Sequence, residues 1–402
     1  MKHNHIIQIL IFVTLAGVPL VFTPVGIGDF FVWPKLLVLR LIALIYIFWL
    51  FKNRSHVNGI MSNDRINRSL LIYFTWLIFA TLFSMNIVQS IIGNEFRLEG
   101  ISTIMIYLIL FLIAREQGTI SKNNIKAMLL TGCIVVIYGI MQSYGIEIFA
   151  RDLIRKEWVA AFSTIGNPNF LGTYIVLLLP FSVHFYIVEK RKIGLLIYTI
   201  LFYGLLATMT RGTWIGSFFS VLIYLGIVIN FREKFKIKFK DIMLFGFVTA
   251  TCLLVFDLSN SGGFILRLLS ISQDIGEVIS GGANLMSTGS FRMFIWTKVV
   301  ELIKMRPIFG FGLENLHLAL EQFFIEDIIK IWGVPMIVDR AHNEYLHLAV
   351  SSGIPALLLY FSLIMQILRK GMSKLLELPY AIPLFVAVIG YLIQAFFNIS
   401  VV

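Results

Sequence analysis

Leu205-Leu206-Ala207-Thr208-Met209-Thr210-Arg211-Gly212-Thr213-Trp214-Ile215-Gly216-Ser217-Phe218-Phe219 is the stretch whose reading settles the fold class. An apolar run from 193 to 209 meets a short polar turn, and a second apolar run from 213 continues to 230. Crossing a hydrocarbon core takes about 20 mostly apolar residues, so two such runs on a tight turn pass back to back through a membrane. Lipid leaves backbone N–H and C=O groups no partners but each other. The runs are too long and continuous for barrel strands, so both are helices.

Outward from this pair the pattern repeats. Eleven runs are predicted as spans: 6–23, 34–51, 69–85, 100–115, 125–144, 169–188, 193–209, 213–230, 242–257, 348–368 and 379–398. The fold class is an all-α polytopic transmembrane bundle. Its expected parts are an N-terminal bundle of nine spans (1–257), an extracytoplasmic loop domain with an amphipathic helix (258–347), and C-terminal transmembrane helices (348–402). Composition agrees. The 402 residues are 58% hydrophobic and 14% charged, with 36 Phe, whereas a soluble chain is nearer ~45–50% apolar and ~25% charged. Cys133 and Cys252 each lie inside an apolar run, which argues against a disulfide framework. Lys2 and the run from Ile6 to Phe22 resemble a secretion signal, but no small-residue cleavage site follows, so this reads as a retained first helix.

The net charge of +11 lies in short connections. Lys52, Arg54, Arg65 and Arg68 face only Asp64 in the 52–68 loop. Arg115 and Lys122 flank the next basic turn, and 189–192 reads Glu-Lys-Arg-Lys. The 231–241 loop carries Arg232, Lys234, Lys236, Lys238 and Lys240, and 369–377 carries Arg369, Lys370 and Lys374. These are alternate loops, which is the charge bias of cytoplasmic connections and not of a nucleic-acid surface. The N-terminus is therefore expected in the cytoplasm and 258–347 outside. Eleven spans leave the C-terminus outside too, and a twelfth span is expected beyond Val402.

A connection as long as 258–347 is usually functional. Residues 262–280 read as mixed and flexible, followed by a Gly/Ser-rich stretch over 280–289. Over 290–305, Phe291, Phe294, Ile295, Val299, Leu302 and Ile303 share one helical side, which predicts a helix lying along the membrane surface. Pro307 ends it and Gly310-Phe311-Gly312 makes a turn.

Few residues here can carry chemistry. Arg211, at an outer turn, suits an anionic substrate, or else anchors the helix at the membrane boundary by snorkelling. Arg292 suits phosphate near a helix N-terminus, or is a solvated cation on an amphipathic helix. His342, in Arg340-Ala341-His342-Asn343-Glu344-Tyr345, can accept a proton near neutral pH or be structural. Asn167-Pro168-Asn169 makes a helix start. Arg97 either joins a cation cluster or pairs with Glu95 or Glu99. Glu314-Asn315-Leu316-His317 and Glu344-Tyr345-Leu346-His347 both fit Glu-x-x-His, but a di-iron site also needs two further helical glutamates in a bundle core, so no metal and no cofactor is expected.

Taken together these residues resemble a known family. Thr210-Arg211-Gly212-Thr213-Trp214-Ile215-Gly216 is similar to the Ser/Thr-Arg-Gly-x-Trp-x-Gly turn of the O-antigen ligases. Arg292 through Trp296, with Pro307 to Gly312, resembles their Arg-x-x-x-Trp and Pro-x-x-Gly-x-Gly stretch. His342-Asn343-Glu344-Tyr345-Leu346, with Ser352-Gly353-Ile354, resembles their His-Asn-x-x-Leu and Gly-Ile element, and Gly166-Asn167-Pro168-Asn169 is also common there. The similarity is clearest over about 160–400.

The resemblance implies a metal-independent, inverting glycosyltransferase of the membrane-embedded GT-C type. It would move a glycan from an undecaprenyl diphosphate carrier to an acceptor, outside the cytoplasmic membrane. The acceptor is lipid A–core in ligases and another carrier-linked repeat unit in the related polymerases. By the same resemblance Arg211 and Arg292 bind the diphosphate and His342 acts as base or orients the acceptor. Arg97, Asn167, Asn169 and Asn343 are further substrate-binding candidates. Two other readings compete. A transporter or flippase would place charge at mid-membrane or show repeated halves, and neither is visible. A non-catalytic membrane organiser would not need Arg and His gathered on one side.

Overall fold

The computed structural model describes residues 3–23, 30–53, 64–95, 97–149, 160–280 and 288–398. The predicted Gly/Ser-rich connector lies almost wholly outside these residues, as do Arg54, Phe96 and the chain end from 399. Among the described residues the chain is helical, with no strand.

In chain order the helices are α1 (His3–Phe12), α2 (Val32–Lys52), α3 (Arg65–Leu82), α4 (Ile87–Ile92), α5 (Ile101–Gln117), α6 (Lys122–Ser143), α7 (Pro168–Ile187) and α8 (Lys192–Ala207). They continue with α9 (Arg211–Asn230), α10 (Arg232–Phe235), α11 (Phe239–Ser259), α12 (Gly263–Ser280), α13 (Thr288–Met305), α14 (Leu316–Trp332), α15 (Glu344–Ser373) and α16 (Ala381–Ala395). A π-turn over Val13–Gly17 and a 3-10 turn over Val18–Leu20 extend α1. Each predicted span is helical. Among the described residues six helices, α2, α6, α7, α9, α11 and α15, are long and apolar enough by themselves to cross a membrane; α8 and α16 are shorter apolar helices. This is a multi-pass membrane protein.

Helix α7 is the hub. It packs on α8, α9 and α16, and Leu171, Ile175, Val176, Leu179 and Val183 are fully enclosed by them. Helix α11 lies at the periphery, with Phe247, Leu254 and Leu258 outward, as expected of a helix facing lipid. The basic turns meet at one end of the bundle. There Glu189 takes Lys122, Arg191 and the Tyr380 hydroxyl, Lys190 reaches Asp241 (3.0 Å), and Arg115 reaches Asp64 (2.7 Å). The turns that hold the candidate residues meet at the other end, described below.

The segment between α11 and α15 departs from its reading in two ways. Residues 262–280, read as flexible, form helix α12. It leaves Ile265, Leu266, Leu268 and Leu269 exposed, and Asp257 Oδ1 holds its start by accepting the N–H groups of Phe264 and Ile265 (3.1 Å each). Conversely, α13 is not spread on a surface. Phe294, Ile295, Val299 and Leu302 are buried, and with Leu316, Ala319 and Leu320 of α14 they form a separate core. Periodicity shows that one side of a helix is apolar. It does not say whether protein or lipid covers that side.

One backbone arrangement ties this segment to the bundle. Helix α15 breaks at Gly353 (φ 85°), which frees carbonyls in the preceding turn. The turn after α13 fills the break. Phe311 and Gly312 donate their N–H groups to the carbonyls of Val350 (2.9 Å) and Ser351 (2.8 Å), and Ile354 N–H donates to Pro307 O (2.8 Å). A Cβ on Gly353 would lie 1.7 Å from Ile308 O. Gly353→Ala is therefore expected to lower stability by at least about 2 kcal/mol, through steric conflict and a left-handed alanine. Thermal unfolding in detergent is the check, and an unchanged midpoint would disprove this packing.

Candidate functional site

At the end of the bundle away from the basic turns, the connections that hold the candidate residues converge. Thr210 starts α9, and Arg211 in its first turn donates from Nη1 to Ser270 Oγ on α12 (3.1 Å). Gly212 lets this turn press on the chain after α16: a Cβ there would be 2.8 Å from Phe397 Cβ. Contacts then run to the second region. The rings of Phe397 and Phe396 touch (5.1 Å), Phe396 packs on Trp296 of α13 (5.6 Å), and Trp296 Nε1 donates to Ala341 O (2.8 Å), next to His342. On the other side of His342, Asn343 caps α15, its Oδ1 accepting Leu346 N–H (3.0 Å).

His342 is held with φ 49°, in the left-handed region. Its Nδ1 is buried and has no hydrogen-bond partner among the described residues. Burial pushes its imidazole down to about 4. Arg292 pushes the same way, Asp339 opposes, and Arg97 and Arg340 add to the fall. Arg292 thus acts on His342 across the space between α13 and the loop before α15. Arg97 pairs with Asp339 (Nε–Oδ2 3.0 Å) and lies over the ring of Phe170 on α7 (5.4 Å), so the expected pairing with Glu95 or Glu99 gives way to a partner far along the chain. Burial alone would raise the Asp339 carboxyl, but Arg97 and Arg340 outweigh it and hold the group below the usual carboxylate range.

Asn167 caps α7, its Oδ1 accepting the N–H of Asn169 (2.9 Å). Both asparagines line a cavity of about 440 Å³ together with Met209, Asn260 and Arg267, beside the Arg211 turn. The predicted residues therefore fall into two adjoining groups at one end of the molecule. Arg97, Arg292 and His342 interact electrostatically. Arg211, Asn167 and Asn169 stand around α12 and the cavity. Asn343 serves as a helix cap that orients the peptide next to His342.

Sequence reasoning missed the group that holds this end together. Arg340 is buried (side chain 4% exposed) and binds Glu99 (2.9 Å) and Glu314 (2.6 Å) through Nη2, while Nη1 donates to His347 Nε2 (2.7 Å). Burial pushes the Glu99 carboxyl up to about 7, Arg340 pulling it back and Glu314 adding to the rise. Glu314 and His347 are halves of the two Glu-x-x-His pairs, and here they meet on a guanidinium. Their signal was present, as an acid and a base embedded in apolar surroundings, but it named no partner. Arg267 was missed because it lies in the stretch read as flexible.

The family model described as O-antigen ligase matches residues 195–361. The match contains Arg211, Arg292 and His342 and stops short of Arg97, Asn167 and Asn169. A search of curated proteins finds no match. From within α8 to the middle of α15, the chain is thus similar to the O-antigen ligase family.

Proposed function

We propose that this protein transfers a glycan from an undecaprenyl diphosphate carrier to an acceptor at the outer side of the cytoplasmic membrane, without a metal and with inversion. Lipid A–core is the first choice of acceptor; a repeat-unit polymerase is the alternative within the same chemistry. The observation that carries the reading is the buried His342 ring, whose Nδ1 has no hydrogen-bond partner among the described residues and on which Arg292 acts, at the end of the bundle opposite the basic turns. Basic turns mark the cytoplasmic side, so the site faces outward.

The acceptor hydroxyl attacks the anomeric carbon while the bond from that carbon to the diphosphate oxygen breaks. The hydroxyl proton passes to His342, and the electron pair leaves with the diphosphate. Arg211 and Arg292 supply the positive charge that this leaving group needs, and Arg97 extends the cation set. Fixed cations in a water-poor site stabilise developing charge without reorganising, and a positioned imidazole contributes as a general base. Asn167 and Asn169 face the glycan.

The experiment is transfer from a carrier-linked glycan by purified wild type and variants. Arg211→Ala and Arg292→Ala are each expected to lower kcat by ~10²–10³-fold, the usual cost of removing one preorganised charge-stabilising donor. Near wild-type transfer by both, at equal folded amounts, would remove the diphosphate role.

A further inference from the structure

We propose that the cavity beside Arg211 is a glycan subsite for a sugar bearing a carboxylate, with Arg267 as the residue that selects it. The inference rests on the transfer reading above and names the class of glycan. The cavity lies within the ~300–1,000 Å³ typical of small-molecule sites. Among the described residues, its lining contains one guanidinium, that of Arg267, and no carboxylate. Among the described residues, the Arg267 side chain has no hydrogen bond or ion pair; only its backbone carbonyl is used, by Ser270 Oγ (2.7 Å). Asp257, which precedes α12, spends Oδ1 on the start of that helix. A cation facing a cavity with no counter-charge among its described lining residues fits an anion from outside.

The rest of the lining fits carbohydrate. The Asn169 carboxamide makes no hydrogen bond among the described residues and offers both donor and acceptor. Asn260 uses its Nδ2 on Phe256 O (2.9 Å) and Ser259 Oγ (3.3 Å), which leaves its carbonyl oxygen to accept. Met209 and Phe256 add the apolar surface that suits the C–H face of a pyranose. Location separates this subsite from the diphosphate. Arg211 reaches Ser270, and Arg267 lies three residues earlier on the same helix, on the same side. The diphosphate then lies against Arg211, and the sugars next to it reach Arg267.

The test uses the full chain in nanodiscs and three probes in equilibrium titrations: a glucuronate-containing trisaccharide, its glucose-containing neutral counterpart, and farnesyl diphosphate. Wild type is expected to bind the acidic trisaccharide about tenfold tighter than the neutral one, the size of a charge-assisted hydrogen bond. Arg267→Gln should abolish that preference and leave farnesyl diphosphate binding unchanged. Arg267→Lys should restore part of the preference. Equal binding of the two trisaccharides by wild type overturns the proposal. So does an Arg267→Gln loss that falls on farnesyl diphosphate, which would make Arg267 a diphosphate ligand. The parent reading fails separately, if Arg211→Ala and Arg292→Ala both leave farnesyl diphosphate binding unchanged.

Discussion

Arg340→Met is expected to destabilise the protein by about 3–5 kcal/mol, the usual cost of removing one partner from a buried ionic cluster. Glu314 (1% exposed) and Glu99 (13%) would lose the charge they share, in a place that water scarcely reaches. Lysine would be a poor substitute, because one planar fork meets two carboxylates and the His347 ring together. The deficit should depend on pH. Glu99 is already raised to about 7 in the wild type, so the folded chain holds a proton that the unfolded chain releases. A contribution of that kind is complete below the unfolded carboxylate pKa and is lost as pH rises through the folded one. Without Arg340 the Glu99 carboxyl moves further up, and the variant should lose more stability at pH 8 than at pH 5. Adding Glu314→Gln should recover part of the loss. A single variant within about 1 kcal/mol of wild type at pH 8, by reversible unfolding in detergent, would mean that Arg340 is not the strut described.

How much of this could be read beforehand depended on range. Spans are local, and the apolar runs around Arg211 and through α7 announce themselves by composition. Alternating basic turns are equally local, and their convergence on Glu189 follows once helices alternate direction. Arg340 and Glu99 are 241 residues apart, and nothing in either neighbourhood points to the other. The same limit explains Arg97, whose partner Asp339 arrives only when the segment after α14 folds back. For α12 and α13 the difficulty was physical ambiguity, since an apolar stripe looks alike against protein and lipid. The family motifs were legible as strings, while their reasons were not. Pro307 to Gly312 and Ser352 to Ile354 are two halves of one backbone pairing around the break at Gly353. Backbone strain was also invisible in the sequence. Leu98, Met209, Phe291 and His342 all have positive φ, each within two residues of one predicted to touch substrate. Such strain of order 1–3 kcal/mol per residue persists only where its surroundings enforce it.

That strain makes His342→Asn the most informative change at the site, and it is expected to lower transfer by ~10²–10⁴-fold, the range of a lost general base. Asparagine tolerates the left-handed region better than most residues, so the φ of 49° survives and the loss reads on chemistry. His342→Ala would add a backbone penalty of about 1 kcal/mol and mix two effects. The pH profile carries the sharper test. Burial and Arg292 depress the imidazole to about 4, so His342 is neutral, and able to take a proton, throughout pH 5–8. The free enzyme's kcat/KM should show no limb near 6.5 from this residue, and should fall on the acid side only as pH nears 4. Stability follows the same sign. As pH drops, the unfolded histidine binds a proton near its ordinary ~6.5 while the folded one resists until about 4. The contribution of His342 is therefore whole above ~6.5 and is lost as pH falls through that window. His342→Asn removes this loss and should flatten the acid side of the unfolding curve while abolishing transfer. Transfer within about tenfold of wild type, at equal folded amounts, would leave the imidazole without a role in the reaction.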